Sequence, residues 1–136
     1  TMSLSDYTPE RHEVVMKKGS FSVTGLSLND LAQLLKTHFT EMETVFGLFE
    51  GSVKVDNIDM ARLTTSLIRE APGLTANIIA LAAGEPGAAG AAAALPFPAQ
   101  LECLQAIGRM TFEEVGGVKK SIEIMTNMLG LLGRAK

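Results

Sequence analysis

The hydrophobic positions of this chain change their period several times, and each change marks a boundary between elements. Residues 1 to 12 show no period, are polar and contain Pro9, so they read as a flexible leader that adds little to a core. Thr1 reads as an added residue ahead of a native start at Met2. Phe21 and Val23 then alternate with Ser20, Ser22 and Thr24, as a half-buried strand requires. Val14, Val15 and Met16 precede them across the turn residues Lys17, Lys18 and Gly19, and the pattern predicts a short β-hairpin.

Beyond the hairpin the period lengthens to that of a helix. Ser27, followed three residues later by Asp30, is a capping-box-like start: the serine oxygen can accept an orphan N–H, and the carboxylate favours the positive helix end. Leu28, Leu31, Leu35 and Phe39 recur at helical spacing and Leu34 widens the stripe, which predicts one apolar face over 28–39. Thr40 with Glu43 repeats the cap signal, and Met42, Val45, Phe46 and Phe49 line a second short helix ending at Gly51. Between Asp56 and Pro72 a third amphipathic segment turns Met60, Leu63 and Leu67 inward, leaves Asp59, Arg62 and Arg69 to solvent, and is broken by Pro72-Gly73. A fourth helix, 74 to 83, is apolar on most sides through Leu74, Ile78, Ile79 and Leu81, the mark of central burial or of a protein contact.

Composition shifts abruptly at Gly84. Residues 84 to 94, GEPGAAGAAAA, read as a flexible Gly/Ala-rich linker ending in a turn of alanine helix. Leu95-Pro96-Phe97-Pro98 imposes an extended approach to the next helix, with Pro98 suited to its first position and Leu101, Leu104 and Gly108 on one face. Thr111 with Glu114 offers another cap, and Gly116-Gly117 argues for a pause. In the last helix Val118, Ile122, Met125, Leu129 and Leu132 form a heptad-like seam, while Ile124, Met128 and Leu131 add a second apolar flank. One intramolecular partner does not cover that much surface, so the remainder is expected to meet another molecule. The candidate partner-binding residues are therefore Ile122, Ile124, Met125, Met128, Leu129 and Leu132, joined by Phe97, Leu101, Leu104 and Met110 from the preceding helix. The fold expected is mainly α: a small helical domain over 13–136, of five to six helices, with a short N-terminal β-hairpin.

Composition adds exclusions. A chain of 136 residues has the size of one domain and can bury roughly two thirds of its unfolded surface without staples. The lone Cys103 excludes an intramolecular disulfide, which fits a reducing cytoplasm, and no N-terminal stretch has the build of a signal peptide. The net charge of −3 is intermixed along the chain, with no tryptophan and a single tyrosine, Tyr7, so the basic, aromatic-interleaved stripe of a nucleic-acid binder is missing. The most apolar stretch, 71 to 101, is split by Glu85, glycines and prolines, and cannot span a bilayer as one ~20-residue helix.

Catalytic chemistry finds little support. His12 and His38 are too far apart to form a local ligand pair, and Cys103 has no neighbouring thiol or imidazole, so no metal or cofactor is expected. His38 reads as a half-exposed histidine without a special role, and Cys103 as a small buried apolar group. The run 113 to 121, EEVGGVKKS, fails as a phosphate loop, because Glu114 and Lys119 stand where glycines must let backbone amides approach phosphate. Glu41 with Glu43, and Asp56 with Asp59, are explained as acids near helix starts. Met42, Met60, Met110, Met125 and Met128 suit both gap filling in a core and shape-tolerant capture of partner helices.

Two stretches, GSFSVTGLSLNDLAQLLKTHFTEMETVF at 19–46 and LPFPAQLECLQAIGRMTFEEVGGVKKSIEIM at 95–125, resemble tail assembly chaperones of long-tailed bacteriophages or prophages, also called pre-tape-measure proteins. The pieces that carry the resemblance are Gly25 to Leu31, Leu95-Pro96-Phe97-Pro98 with its helix, and Thr111-Phe112-Glu113-Glu114 before Gly116-Gly117. The resemblance implies a non-enzymatic factor that binds the tape measure protein and assists tail-tube assembly. Its partners would include the tail tube protein and a frameshifted longer form of itself, and the heptad-like seam, which does not distinguish self from client, also allows a homo-oligomer. The resemblance implies work in the host bacterial cytoplasm and absence from the mature virion. Rival readings are a head-tail connector type of structural protein, which would remain in purified particles, and a small helical DNA-binding regulator, which salt-dependent retention on DNA would reveal.

Overall fold

A computed structural model describes residues 1–47 and 60–112, together with Ile124, Asn127, Gly130 and Leu131. The chain is mostly helical, with an N-terminal two-stranded hairpin, as its hydrophobic pattern predicts. A single 3-10 turn, Leu4–Asp6, precedes the hairpin and buries nothing. Strand β1 (Arg11–Met16) pairs antiparallel with β2 (Gly19–Thr24), Val14 opposite Phe21 and Val15 opposite Ser20. Side-chain alternation sends Val14 and Val23 into the core and leaves Val15 outside at 71 % exposure.

Helix α1 (Leu28–Gly47) opens with the expected capping box: Asp30 N–H donates to Ser27 Oγ and Ser27 N–H to Asp30 Oδ2, both at 3.1 Å. The break expected ahead of Thr40 falls at His38, whose φ of −126° and ψ of 32° lie outside the helical range, so α1 consists of two helical segments joined at a kink. Thr40 stands two residues past the kink, and its carbonyl accepts from Thr44 Oγ1 at 3.0 Å.

Helix α2 (Met60–Glu70) and helix α3 (Pro72–Ala82) are separated only by Ala71. Pro72 acts on both: it ends α2 and, lacking an N–H that a first turn would leave unpaired, starts α3. α3 closes with Glu85 N–H on Ala80 O at 2.9 Å and Gly84 N–H on Leu81 O at 3.0 Å, the Schellman pair, with Gly84 at φ +76°. The Gly/Ala-rich segment holds a short helix, α4 (Ala89–Ala93), whose Ala92 is buried. Gln100 Nε2 donates to Ala92 O at 3.0 Å and Ala93 O at 3.1 Å, tying α4 to helix α5 (Phe97–Phe112). Pro98 occupies the second position of α5 rather than the first.

α3 is the centre of the packing. It touches α1, α2, α4, α5 and β2, and buries Leu74, Thr75, Ala76, Ile78, Ile79, Ala80 and Ala82 around its circumference. The hairpin lies on α5, where Arg109 meets Glu10 at 3.1 Å and His12 meets Glu102 at 2.8 Å, exposed pairs that each add about 0–1 kcal/mol. Tighter is the approach of the β2–α1 connection. A Cβ on Gly25 would stand 3.0 Å from the backbone C and O of Met110. The expected helix end at Gly51, the Glu114 cap and most of the last helix lie outside the described residues. Ile124, Asn127, Gly130 and Leu131 are helical and exposed.

Because the atoms facing Gly25 are backbone, Gly25→Ala must push the connection off α5. Thermal denaturation should show a loss of about 1–3 kcal/mol, and an unchanged midpoint would contradict this packing.

Candidate functional site

Four helices meet without closing. Between α1, α2, α3 and α5 lies an apolar chamber of about 170 Å³, walled by Leu31, Leu34 and Met42 from α1, Leu67 from α2, Leu74 and Ile78 from α3, and Leu104, Ile107 and Phe112 from α5. Ser27 and Leu28, both exposed, stand at its rim, Leu28 at 82 %. The wall's polar atoms are engaged by the protein itself. Thr111 Oγ1 donates to Ile107 O at 2.6 Å and accepts from Leu26 N–H at 2.9 Å, fastening the chain ahead of α1 to the end of α5. No described buried side-chain polar atom lacks a partner. What its described wall offers is shape and apolar surface.

The described residues among those expected to bind a partner differ in exposure. Leu104 is buried at 3 % exposure and forms part of the chamber wall, so it faces inward rather than outward. Leu101 and Met110 are half-buried, while Phe97 at 56 % and Ile124 at 47 % are exposed. Ile122, Met125, Met128, Leu129 and Leu132 lie outside the described residues. In the sequence, Leu31, Leu34, Met42 and Ile78 fall on helix faces with nothing that gathers them at one site. The available signal was the surplus of apolar positions on α3, a helix that needs walls on every side.

Two titratable groups behave differently from one another. Cys103 is fully buried, and burial, helped by the nearby Glu102 charge, pushes its thiol up from 9.0 to about 11. It is the small apolar group the sequence suggested. His38 is not the roleless histidine expected. Its side chain is only 12 % exposed, pairs through Nδ1 with Glu41, and meets Asn77 Nδ2 of α3 through Nε2 at 2.5 Å. Glu41, in the first turn after the kink, thus also serves this histidine. Among the described residues, no three His, Cys, Asp or Glu side chains gather as a metal-binding group, and no helix is long and apolar enough to cross a membrane.

Fold and chamber together define a small, mostly helical protein with an apolar receptacle walled by four helices. The chain belongs to the pre-tape measure protein family, whose model matches residues 2–136. It is thus a protein of bacteriophage tail assembly. No curated protein matches it, and no solved structure does.

The raised thiol fixes a pH dependence. A folded-state value above the unfolded one means that the stability held by the neutral thiol is fully present below pH 9 and is lost as pH rises toward 11. Denaturant midpoints should fall more steeply over that range in the native protein than in Cys103→Ala. Parallel curves would refute the burial-driven shift. At neutral pH, Cys103 should react with thiol reagents only on unfolding.

Proposed function

We propose that this protein is a non-enzymatic tail assembly chaperone that holds the tape measure protein soluble until tail-tube subunits assemble around it. The single observation that carries the reading is an open apolar chamber in a chain of the pre-tape measure family. A tape measure protein that is long, helical and aggregation-prone needs its apolar stripe covered reversibly, and an amphipathic helix laid in an apolar groove is a common way to cover one. The chamber's size suits one anchor: apolar cavities of roughly 150 Å³ accept a benzene-sized guest, which is the bulk of a phenylalanine ring or a leucine side chain. A guest that fills 170 Å³ recovers packing worth up to about 4 kcal/mol at ~24 cal/mol per Å³. Leu28, exposed at the rim, extends the apolar contact beyond the chamber.

Ile122, Met125, Met128, Leu129 and Leu132 add the second contact in this reading, a Met- and Leu-rich helix face that adapts to client helices of varied shape. The protein acts in the cytoplasm of the infected bacterium and leaves before the particle is complete. Its further partners are the tail tube protein, a frameshifted longer form, and copies of itself.

Co-expression with the tape measure protein, scored by the client in the soluble fraction, tests the proposal. The native chain should raise it strongly. Leu28→Asp, and Met125→Asp combined with Leu129→Asp, should each lower it about tenfold or more, the loss expected when a central apolar anchor is removed at ~1.4 kcal/mol or more. Unchanged client solubility in folded variants would overturn the placement of the surface. Recovery of the chain from purified virions would overturn the chaperone reading in favour of a structural component.

A further inference from the structure

α1 bends where no helix breaker stands. From Leu28 to Phe46 it contains neither proline nor glycine, so the bend at His38 has no helix-breaking residue behind it, and what marks the position is the neighbour that holds the His38 side chain. That neighbour is α3. Asn77 donates to His38 Nε2 at 2.5 Å, Glu41 accepts from Nδ1, and the imidazole lies over Gly73, whose Cβ would stand 3.9 Å from Cε1. Gly73 and Asn77, one helical turn apart, form a seat for the ring.

The position of His38 in the helix gives the seat its meaning. At 100° per residue, Leu31, His38 and Met42 of an unbroken helix fall within about 40° of one another, the imidazole about 20° to one side of Leu31. Leu31 and Met42 both line the chamber, whereas His38 borders a separate cleft with Gln33, Thr37 and Asn77. A straight α1 would aim the imidazole into the chamber. We infer that His38 is a positioning residue for the chamber: its seat on Gly73 and Asn77 of α3 holds the bend of α1, keeps the ring out of the apolar space, and so leaves room for one apolar guest. The inference rests on the chaperone reading only for the natural guest's identity.

Leucine at position 38 separates positioning from simple structural support. It continues the stripe of Leu31, Leu35, Met42 and Val45, has no use for the seat, and in a straightened α1 fills the chamber with its own side chain. Benzene binding by titration calorimetry, thermal midpoint and client co-solubility should be measured on the intact chain. In His38→Leu, benzene affinity should fall at least about tenfold while the midpoint holds or rises, the opposite of what loss of a structural hydrogen bond gives. Asn77→Asp, which still offers the ring a polar partner, should retain benzene binding. Unaltered benzene affinity in His38→Leu, or its loss only together with a lowered midpoint, would overturn the inference. If benzene binding follows residue 38 while client solubility does not, the positioning role stands and the chamber is not where the client docks.

Discussion

A helix that is apolar on most sides has little face to give to water, and α3 imposes that constraint on the rest of the chain. Leu74, Ile78 and Ile79 point in different directions, so elements must stand all around them, and β2, α1, α2, α4 and α5 do so. Each surrounding element is adapted to the task. α4 approaches through alanines, Gly25 lets the backbone pass close to α5, and Thr24 Oγ1 donates to Ala82 O at 3.2 Å where α3 runs out of its own donors.

The same constraint explains the chamber. Helices are straight rods, and several of them around a central one close completely only when bulky side chains fill the gaps between them. Here α1 bends at His38, and Leu34 before the bend and Met42 after it border one space with Leu104 and Ile107 of α5. The rim at Leu28 lies beside the capping box of α1, whose two reciprocal hydrogen bonds tie down the backbone there. An apolar receptacle suits a guest recognised by bulk and hydrophobicity. The family's tie to the tail tape measure gives such a receptacle a use.

Much of this fold was legible in the sequence, because local chemistry determined it. Alternation at Phe21 and Val23, the Ser27–Asp30 pair and the Pro72-Gly73 step act within a few residues, and their elements stand where the pattern puts them. The break in α1 was legible to within two residues from Thr40 and Glu43, but the partner that His38 meets at the kink, Asn77, lies 39 residues away in sequence and has no local signal. His38 could have been flagged: in a continuous heptad through Leu31, Leu35, Met42 and Val45 it occupies a seam position, and a polar group on a seam needs a partner. The chamber was not legible at all, because it is a property of how four helices meet. The family resemblance reached the tail assembly class through residues 19–46 and 95–125, stretches that include the capping box and Leu104 on the chamber wall.

The most direct measurement is methyl NMR of the labelled chain in complex with its tape measure protein. The account predicts that resonances of Leu31, Leu104 and Ile107 shift and show intermolecular contacts to client leucine or phenylalanine protons, while Val14 and Val23 beneath the hairpin stay in place. Chamber methyls left unchanged in a formed complex would contradict it.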